Sequence, residues 1–458
     1  MKKEQKKEGK NFIWHKIIIV FAWLIVWEIA ARIISNQILL EGPIGVLKRL
    51  LSDLQTFEYY KTVVFSVIRI MSGLFSGMIL AIVFGTFSYK HRFVEELFFP
   101  IIQVLKAAPI TCFVVLLLIW AGAEKLAFYV ALLVTFPPIY FNLLEGLKQL
   151  DEKKLEVAKV YRMPLKNRLR YIYLPEIKPY FTSALAVAVG MAFKAGIAAE
   201  IIGTPDYSMG ERIYMSKIYL DTSGVLSWMI TVILVSYICE KVIVKLADIY
   251  FAGRPNVLNV GKQKVLGQAT DIYVKDCTLS YGKETVIAGI DAHFCVGQVY
   301  AVTGCSGIGK TTFLKYLCGL KKAENKENGV AREIGTVVFQ ENRLFEELTA
   351  VENIYATGQC FKTYEMVKNA LAELLPLETL SKPVKEYSGG MKRRVEIARA
   401  LLSEGNVIFM DEPFGGLDEE TKEKTIQFID KYRNNRTLIF TTHCPLDIIK
   451  VKAEEYKL

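Results

Sequence analysis

The chain has 458 residues, which at roughly 100 to 200 residues per domain leaves room for two to four folding units. Hydrophobic residues make up 52% and charged residues 23%. That is too apolar for an ordinary soluble enzyme and too charged for a pure membrane bundle, so two unlike halves are expected. The net charge of +10 serves nucleic acid, anionic lipid or membrane topology equally, and only its placement decides. The eight cysteines form no C-x-x-C pair and have few histidines near them. This argues against a zinc cluster or a disulfide framework and for reduced, structural thiols.

A bilayer span needs about 20 mostly apolar residues, and six stretches qualify: 13–34, 62–88, 98–120, 126–145, 179–201 and 225–247. The first is too long and Trp-rich for a signal peptide, so it reads as a retained helix. A basic N-terminus, residues 1–12, precedes it. Lys90 and Arg92 follow the second span, and the loop 146–178 carries nine cations, Lys153, Lys154 and Arg162 among them. By the positive-inside rule these segments are cytoplasmic, as are both termini and everything after the sixth span. The expected architecture is an all-α, six-span transmembrane domain over 13–251, in contact with membrane lipid, followed by a cytosolic domain. Glu28, Arg69, Lys194 and Glu200 lie at or near membrane depth, where an ionisable group faces a cavity or snorkels to the interface. Lys194 and Glu200 either contact solute or neutralise each other. Phe136-Pro137-Pro138 suggests a break in the fourth span, and Gly73 with Gly77 a close helix contact in the second.

Residues 252–268 lack periodicity and mix Gly, Pro, Asn and Lys, which marks a linker. The second domain, 269–458, is α/β. The apolar run Gln298 to Thr303 leads into Gly304-Cys305-Ser306-Gly307-Ile308-Gly309-Lys310-Thr311-Thr312 and a helical segment. This is G-x-x-x-x-G-K-S/T between a strand and a helix, the P-loop context. Its backbone N–H groups and Lys310 suit phosphates, and the Thr311 hydroxyl suits Mg²⁺, so ATP and Mg²⁺ are the expected cofactors. Farther on, Asn406 to Met410 is an apolar strand ending in Asp411-Glu412: Asp411 suits the metal, Glu412 the polarisation of attacking water. Between them Tyr387-Ser388-Gly389-Gly390-Met391 feeds a helix N-terminus.

The order P-loop, Gln340 in VVFQEN, YSGGM, VIFMDEP, GGLD (Gly415 to Asp418) and TTH (His443) resembles the nucleotide-binding domain of an ABC transporter across nearly all of 270–458. The resemblance implies that Ser388, Gly389 and Gly390 contact ATP held by a partner subunit's P-loop, so a homodimer is expected. It also implies that Tyr281 stacks on adenine, although alone it equally suits a strand-end core residue. Gln340 would sense Mg²⁺ and water, and His443 would contact the γ-phosphate. Glu412, His443 and Gln340 are thus the catalytic candidates, and Thr311, Gln340 and Asp411 the metal candidates.

Within 146–178, Glu156-Val-Ala158 to Arg162 and Ile172-Tyr-Leu174-Pro175 resemble the cytoplasmic coupling segment of binding-protein-dependent importers. SVIRIMSG (66–73) and AFKAGIAAEIIG (192–203) are similar to permeases for nitrate, taurine, alkanesulfonates and pyrimidine precursors of thiamine. The resemblance implies a bacterial plasma-membrane importer, permease fused to ATPase, fed by an extracytoplasmic solute-binding protein and carrying a small-molecule substrate, with no nucleic-acid role. A half-size exporter and a membrane-anchored ATPase that moves no solute are the alternatives. Three residues depart from the family pattern: Arg162 where glycine is usual, Met391 for glutamine, and Cys444 for aspartate. Thirty positions separate Lys310 from Gln340 and 15 follow His443, from which a shortened ATPase without an added regulatory domain is expected.

Overall fold

The structure, a computed structural model, describes residues 2–36, 38–252, 269–281, 284–323 and 335–458. The expected linker therefore lies almost wholly outside the described residues. Contacts divide the chain into two units: residues 1–149 with 177–252, and residues 150–176 with 253–458.

The helices in chain order up to the linker are α1 (Lys2–Ile34), α2 (Pro43–Asp53), α3 (Phe57–Lys90), α4 (Arg92–Ala107), α5 (Ile110–Ala121), α6 (Ala123–Lys148), α7 (Glu152–Val160), α8 (Leu165–Arg168), α9 (Leu174–Gly203), α10 (Met209–Ile218) and α11 (Thr222–Ala252). A π turn, Leu169–Tyr173, carries α8 into α9. Among the described residues, α3, α6 and the continuous stretch 165–203 are long and apolar enough to cross a bilayer. The first and sixth expected spans fall on α1 and α11.

The third does not form one helix. Pro109 disfavours helical backbone at Ala108, which is extended at ψ 139°, and the chain turns by 100° between α4 and α5. Conversely, the break expected at Pro137-Pro138 is absent, because α6 runs through both prolines. There Asn142 donates its side-chain amide to the Pro138 carbonyl at 2.9 Å, an added bond one turn beyond the prolines.

The first unit is built on the packing of α3 against α6. A Cβ at Gly73 would sit 2.3 Å from the Phe128 carbonyl oxygen, and one at Gly77 would sit 2.4 Å from Thr135 Oγ1. Only glycine allows this approach. Ile70, Leu74, Ile139, Tyr140, Val189 and Phe193 fill the core between α3, α6 and α9. Ile68, Phe75, Ile79 and Phe87 on the outer side of α3 stay exposed, as suits a lipid-facing helix surface.

The second unit has a two-stranded antiparallel sheet of β1 (Ile272–Tyr281) and β2 (Glu284–Phe294). A five-stranded sheet of order β4-β5-β6-β3-β7 combines β3 (Val299–Thr303), β4 (Gly335–Val338), β5 (Val407–Asp411), β6 (Thr437–Thr441) and β7 (Glu454–Lys457). All its neighbours are parallel. Helices α12 (Lys310–Leu317), α13 (Ala350–Ala356), α14 (Tyr364–Leu374), α15 (Gly389–Leu402), α16 (Glu419–Tyr432) and α17 (Pro445–Val451) complete it. Strands β4, β5 and β6 are buried throughout, the mark of a parallel sheet covered on both faces.

Candidate functional site

In a parallel sheet every strand ends at the same edge, and loops leaving that edge meet there. β3 runs into the glycine loop at Gly304, β4 into Gln340, β5 into Asp411-Glu412 and β6 into Thr442-His443. The order β4-β5-β6-β3 therefore sets four sequence motifs side by side.

The loop after β3 depends on glycines where the chain enters left-handed backbone, at φ +84° for Gly307 and +110° for Gly309. Gly309 then starts α12 with no side chain capping the first turn, so the N–H groups of that turn are available to an anion. Lys310 is 6% exposed, and its ammonium donates to the carbonyls of Gly304 and Cys305 at 2.9 and 3.0 Å. Cys305, Ser306, Gly307 and Ile308 are exposed, Thr311 is half-buried and Thr312 is buried.

Asp411, 3% exposed, accepts from Thr441 Oγ1 at 2.6 Å, and that same oxygen accepts from the Glu412 N–H at 3.0 Å. Glu412 has φ +46°, an uncommon conformation for a glutamate. His443 Nε2 lies 3.2 Å from Glu412 Oε1. Thr441 is a functional candidate that the sequence reading missed, although it opens the TTH motif.

Gln340 is exposed, and its carbonyl and that of Phe339 both accept from the Arg393 guanidinium. Ser388 is the N-cap of α15 and accepts from the Met391 N–H at 3.3 Å. Gly389 and Gly390 open that helix, and the turn Gly415–Asp418 lies beside them: a Cβ at Gly390 would stand 3.5 Å from Leu417. No strand of the five-stranded sheet leads into Ser388, which instead caps α15. Asp418 caps α16 by accepting from the Thr421 N–H at 2.9 Å, which holds its carboxyl below the ordinary aspartate range. Tyr281 closes β1, and its side chain lies outside the described residues.

The stretch 150–176 belongs to this unit. Asp151 caps α7 by accepting from the Lys153 N–H at 2.9 Å. Val157 and Ala158 are 0% and 2% exposed. Glu156 pairs with Arg343 and stands 3.9 Å from Lys315, and Lys153 pairs with Glu341. Tyr161 is buried and donates to the Val337 carbonyl at 3.0 Å; burial pushes its hydroxyl pKa up. Asn167 donates to the Ala356 carbonyl at 3.0 Å. The receiving surface is itself cross-braced. Arg343 lies over the Phe339 ring at 3.7 Å, its N–H donates to Glu396 at 2.5 Å, and its carbonyl accepts from Arg399 at 2.9 Å. Burial raises the Glu396 carboxyl despite those arginines. Sequence reading missed Arg343, Arg393 and Glu396, which carry no motif signal.

Comparison with known proteins places these features. Residues 287–415 match the family described as ABC transporter, and residues 73–248 match that described as binding-protein-dependent transport system inner membrane component. The lipoprotein-releasing system ATP-binding protein LolD of Bacteroides fragilis (strain YCH46) is 33% identical over 196 residues, 38% of this chain and 90% of that protein. The aliphatic sulfonates import ATP-binding protein SsuB of Bacillus subtilis (strain 168) is 37% identical over 175 residues, 35% of this chain and 68% of that one. The bicarbonate transport ATP-binding protein CmpD of Synechococcus elongatus (strain ATCC 33912 / PCC 7942 / FACHB-805) is 34% identical over 178 residues, 35% of this chain and 64% of that one. This chain thus spans less than two thirds of the third relative. With a helical permease region of apolar helices ahead of an ATP-hydrolysing α/β domain, the chain is an integral membrane protein that belongs to the ABC transporter family.

Proposed function

We propose that the chain is one protomer of a homodimeric importer, fed by a solute-binding protein, that uses Mg-ATP to move a small anion into the cytoplasm. The observation that carries this reading is the docking of residues 150–176, drawn from the permease sequence, into the ATPase surface around Arg343 and Val337. A buried helix held by an ion pair and a backbone hydrogen bond can pass a nucleotide-driven closure to the helices it connects.

In this reading the loop N–H groups and Lys310 hold the phosphates, with the ammonium leaving the Gly304 and Cys305 carbonyls to do so. Asp411 and Thr311 supply hard oxygen ligands suited to Mg²⁺. Glu412 orients and polarises the attacking water, His443 contacts the γ-phosphate, and Gln340 reports on both from the neighbouring strand end. Ser388, Gly389 and Gly390 complete the site of the second protomer.

The anion rests on Lys194. The structure corrects the idea that Lys194 and Glu200 neutralise each other. Six residues apart on α9, they stand roughly 120° apart around the helix. Glu200 is fully buried, accepting from Ser66 Oγ at 2.8 Å and the Gly210 N–H at 3.2 Å. Arg69 is engaged with Glu124 and the Asp206 carbonyl. Among the described residues no carboxylate pairs with Lys194, which is exposed and lines an open groove of about 330 Å³ with Ile110, Thr111, Val114, Val134 and Met191. A lone cation beside such an apolar groove favours an anion with a small apolar body. Two of the relatives are named for anions, aliphatic sulfonates and bicarbonate.

The test is growth of a deletion strain on taurine, alkanesulfonates or nitrate as sole sulfur or nitrogen source, with thiamine-precursor limitation alongside. Loss of growth on one of the anions, restored by the wild type and not by Lys194→Met, is expected. Unimpaired growth on all would remove this solute class.

A further inference from the structure

The pairing of β1 with β2 sets Ile272 opposite Phe294 and Tyr273 opposite His293. Ile272 and Phe294 are each 1% exposed, so their neighbours Asp271, Tyr273, His293 and Cys295 fall on the outer face of the two-stranded sheet. There three donor atoms of different chemistry converge. His293 Nε2 lies 3.0 Å from Asp271 Oδ2 and 3.8 Å from Cys295 Sγ, and all three atoms are within 4.8 Å of one another. The imidazole plane is fixed by Tyr273, stacked on it at 4.3 Å and 10°. The carboxylate is fixed by the Val296 N–H, which donates to Oδ1 at 2.9 Å and leaves Oδ2 facing the histidine.

At ordinary bond lengths around a tetrahedral zinc ion, a nitrogen ligand stands roughly 3.3 Å from an oxygen ligand and roughly 3.6 Å from a sulfur ligand. The observed separations are within a few tenths of an ångström of both. We propose that Asp271, His293 and Cys295 form a surface site for Zn²⁺, with water as the fourth ligand. Zinc displaces the thiol proton of Cys295 and takes the place of the proton that His293 shares with Asp271. The site joins the residue ahead of β1 to the residue after β2, so a bound ion cross-links the open end of this sheet. It is independent of the nucleotide motifs. Its ligands carry no spacing signature in the sequence, because Asp271 meets His293 only through strand pairing.

The test uses the full-length protein in detergent, stripped with a chelator and titrated with Zn²⁺ alone and with Co²⁺ alone, without nucleotide. Binding of one zinc ion per chain is expected, with a sulfur-to-cobalt charge-transfer band and tetrahedral visible absorption in the Co²⁺ titration. Cys295→Ser should abolish that band, and His293→Ala should weaken zinc binding by more than roughly tenfold. Cys112→Ser, at an exposed cysteine elsewhere, should change neither. Zinc should raise the thermal midpoint of the wild type but not of the two site variants, and unchanged midpoints without metal show that those variants fold. Absence of binding by the wild type, or binding that survives both Cys295→Ser and His293→Ala, overturns the proposal.

Discussion

His443 and Glu412 touch, with Nε2 of the first 3.2 Å from Oε1 of the second, although they stand 31 positions apart on loops leaving adjacent parallel strands. The contact ties the group proposed to polarise water to the group proposed to sense the γ-phosphate. Glu412→Gln keeps the shape and loses the charge, so it should retain ATP while hydrolysis falls by about 10²- to 10⁴-fold. Lys310→Ala should instead fail at nucleotide binding. Binding of labelled ATP alongside phosphate release separates the two; equal loss of ATP affinity would remove Glu412 from its role.

Ser388 caps its own helix rather than following a strand of the five-stranded sheet, and the proposed partner of that cap is a second copy of the chain. Co-expression of Ser388→Arg with Lys310→Ala should yield mixed dimers that keep one intact ATP site and measurable ATPase activity. Either variant alone should be inactive. Full activity in a detergent-solubilised species that sedimentation shows to be strictly monomeric would refute the composite site.

Glu156 is held between Arg343 and Lys315. Glu156→Lys places a third cation there and should disrupt docking while the P-loop stays intact. Basal ATPase activity should persist, but its stimulation by a loaded binding protein should disappear. Normal transport by this variant would reduce segment 150–176 to a topogenic basic loop.

Arg162 has φ +46°, left-handed backbone that costs a side-chain-bearing residue about 1 kcal/mol relative to glycine. Arg162→Gly and Arg162→Ala both delete the guanidinium, so the comparison between them isolates the backbone. The glycine variant should be the more stable by about 1 kcal/mol in denaturant unfolding. Equal stabilities would mean that the turn relaxes when the side chain is removed.

That last residue shows what a sequence can and cannot reveal. Arg162 stood out in the sequence as a departure from glycine, and the structure supplies the reason glycine suits the position. The phosphate loop, the paired acids after β5 and His443 were legible because each needs a fixed local order of residue types. Arg343, Arg393 and Glu396 were not, since their role depends on a surface assembled from β4, α15 and an inserted helix far away in sequence. In the apolar half, hydrophobicity marked where helices lie but misplaced the break. Pro137 and Pro138 sit in a helix supported by neighbours, whereas Pro109 follows a residue it forces out of helical backbone.

The bend at Ala108-Pro109 has a consequence for hydration. Where α4 ends and α5 begins, the Ala108 N–H still reaches the Val104 carbonyl and the Cys112 N–H the Pro109 carbonyl, but the other end-turn groups have no i to i+4 partner. Exposed to hydrocarbon they would each cost several kcal/mol, so they need protein or water around them. Ile110 and Thr111, which open α5, also line the open groove beside Lys194. In the importer proposed above, backbone groups left open beside Lys194 would offer a bound anion peptide dipoles as well as the ammonium.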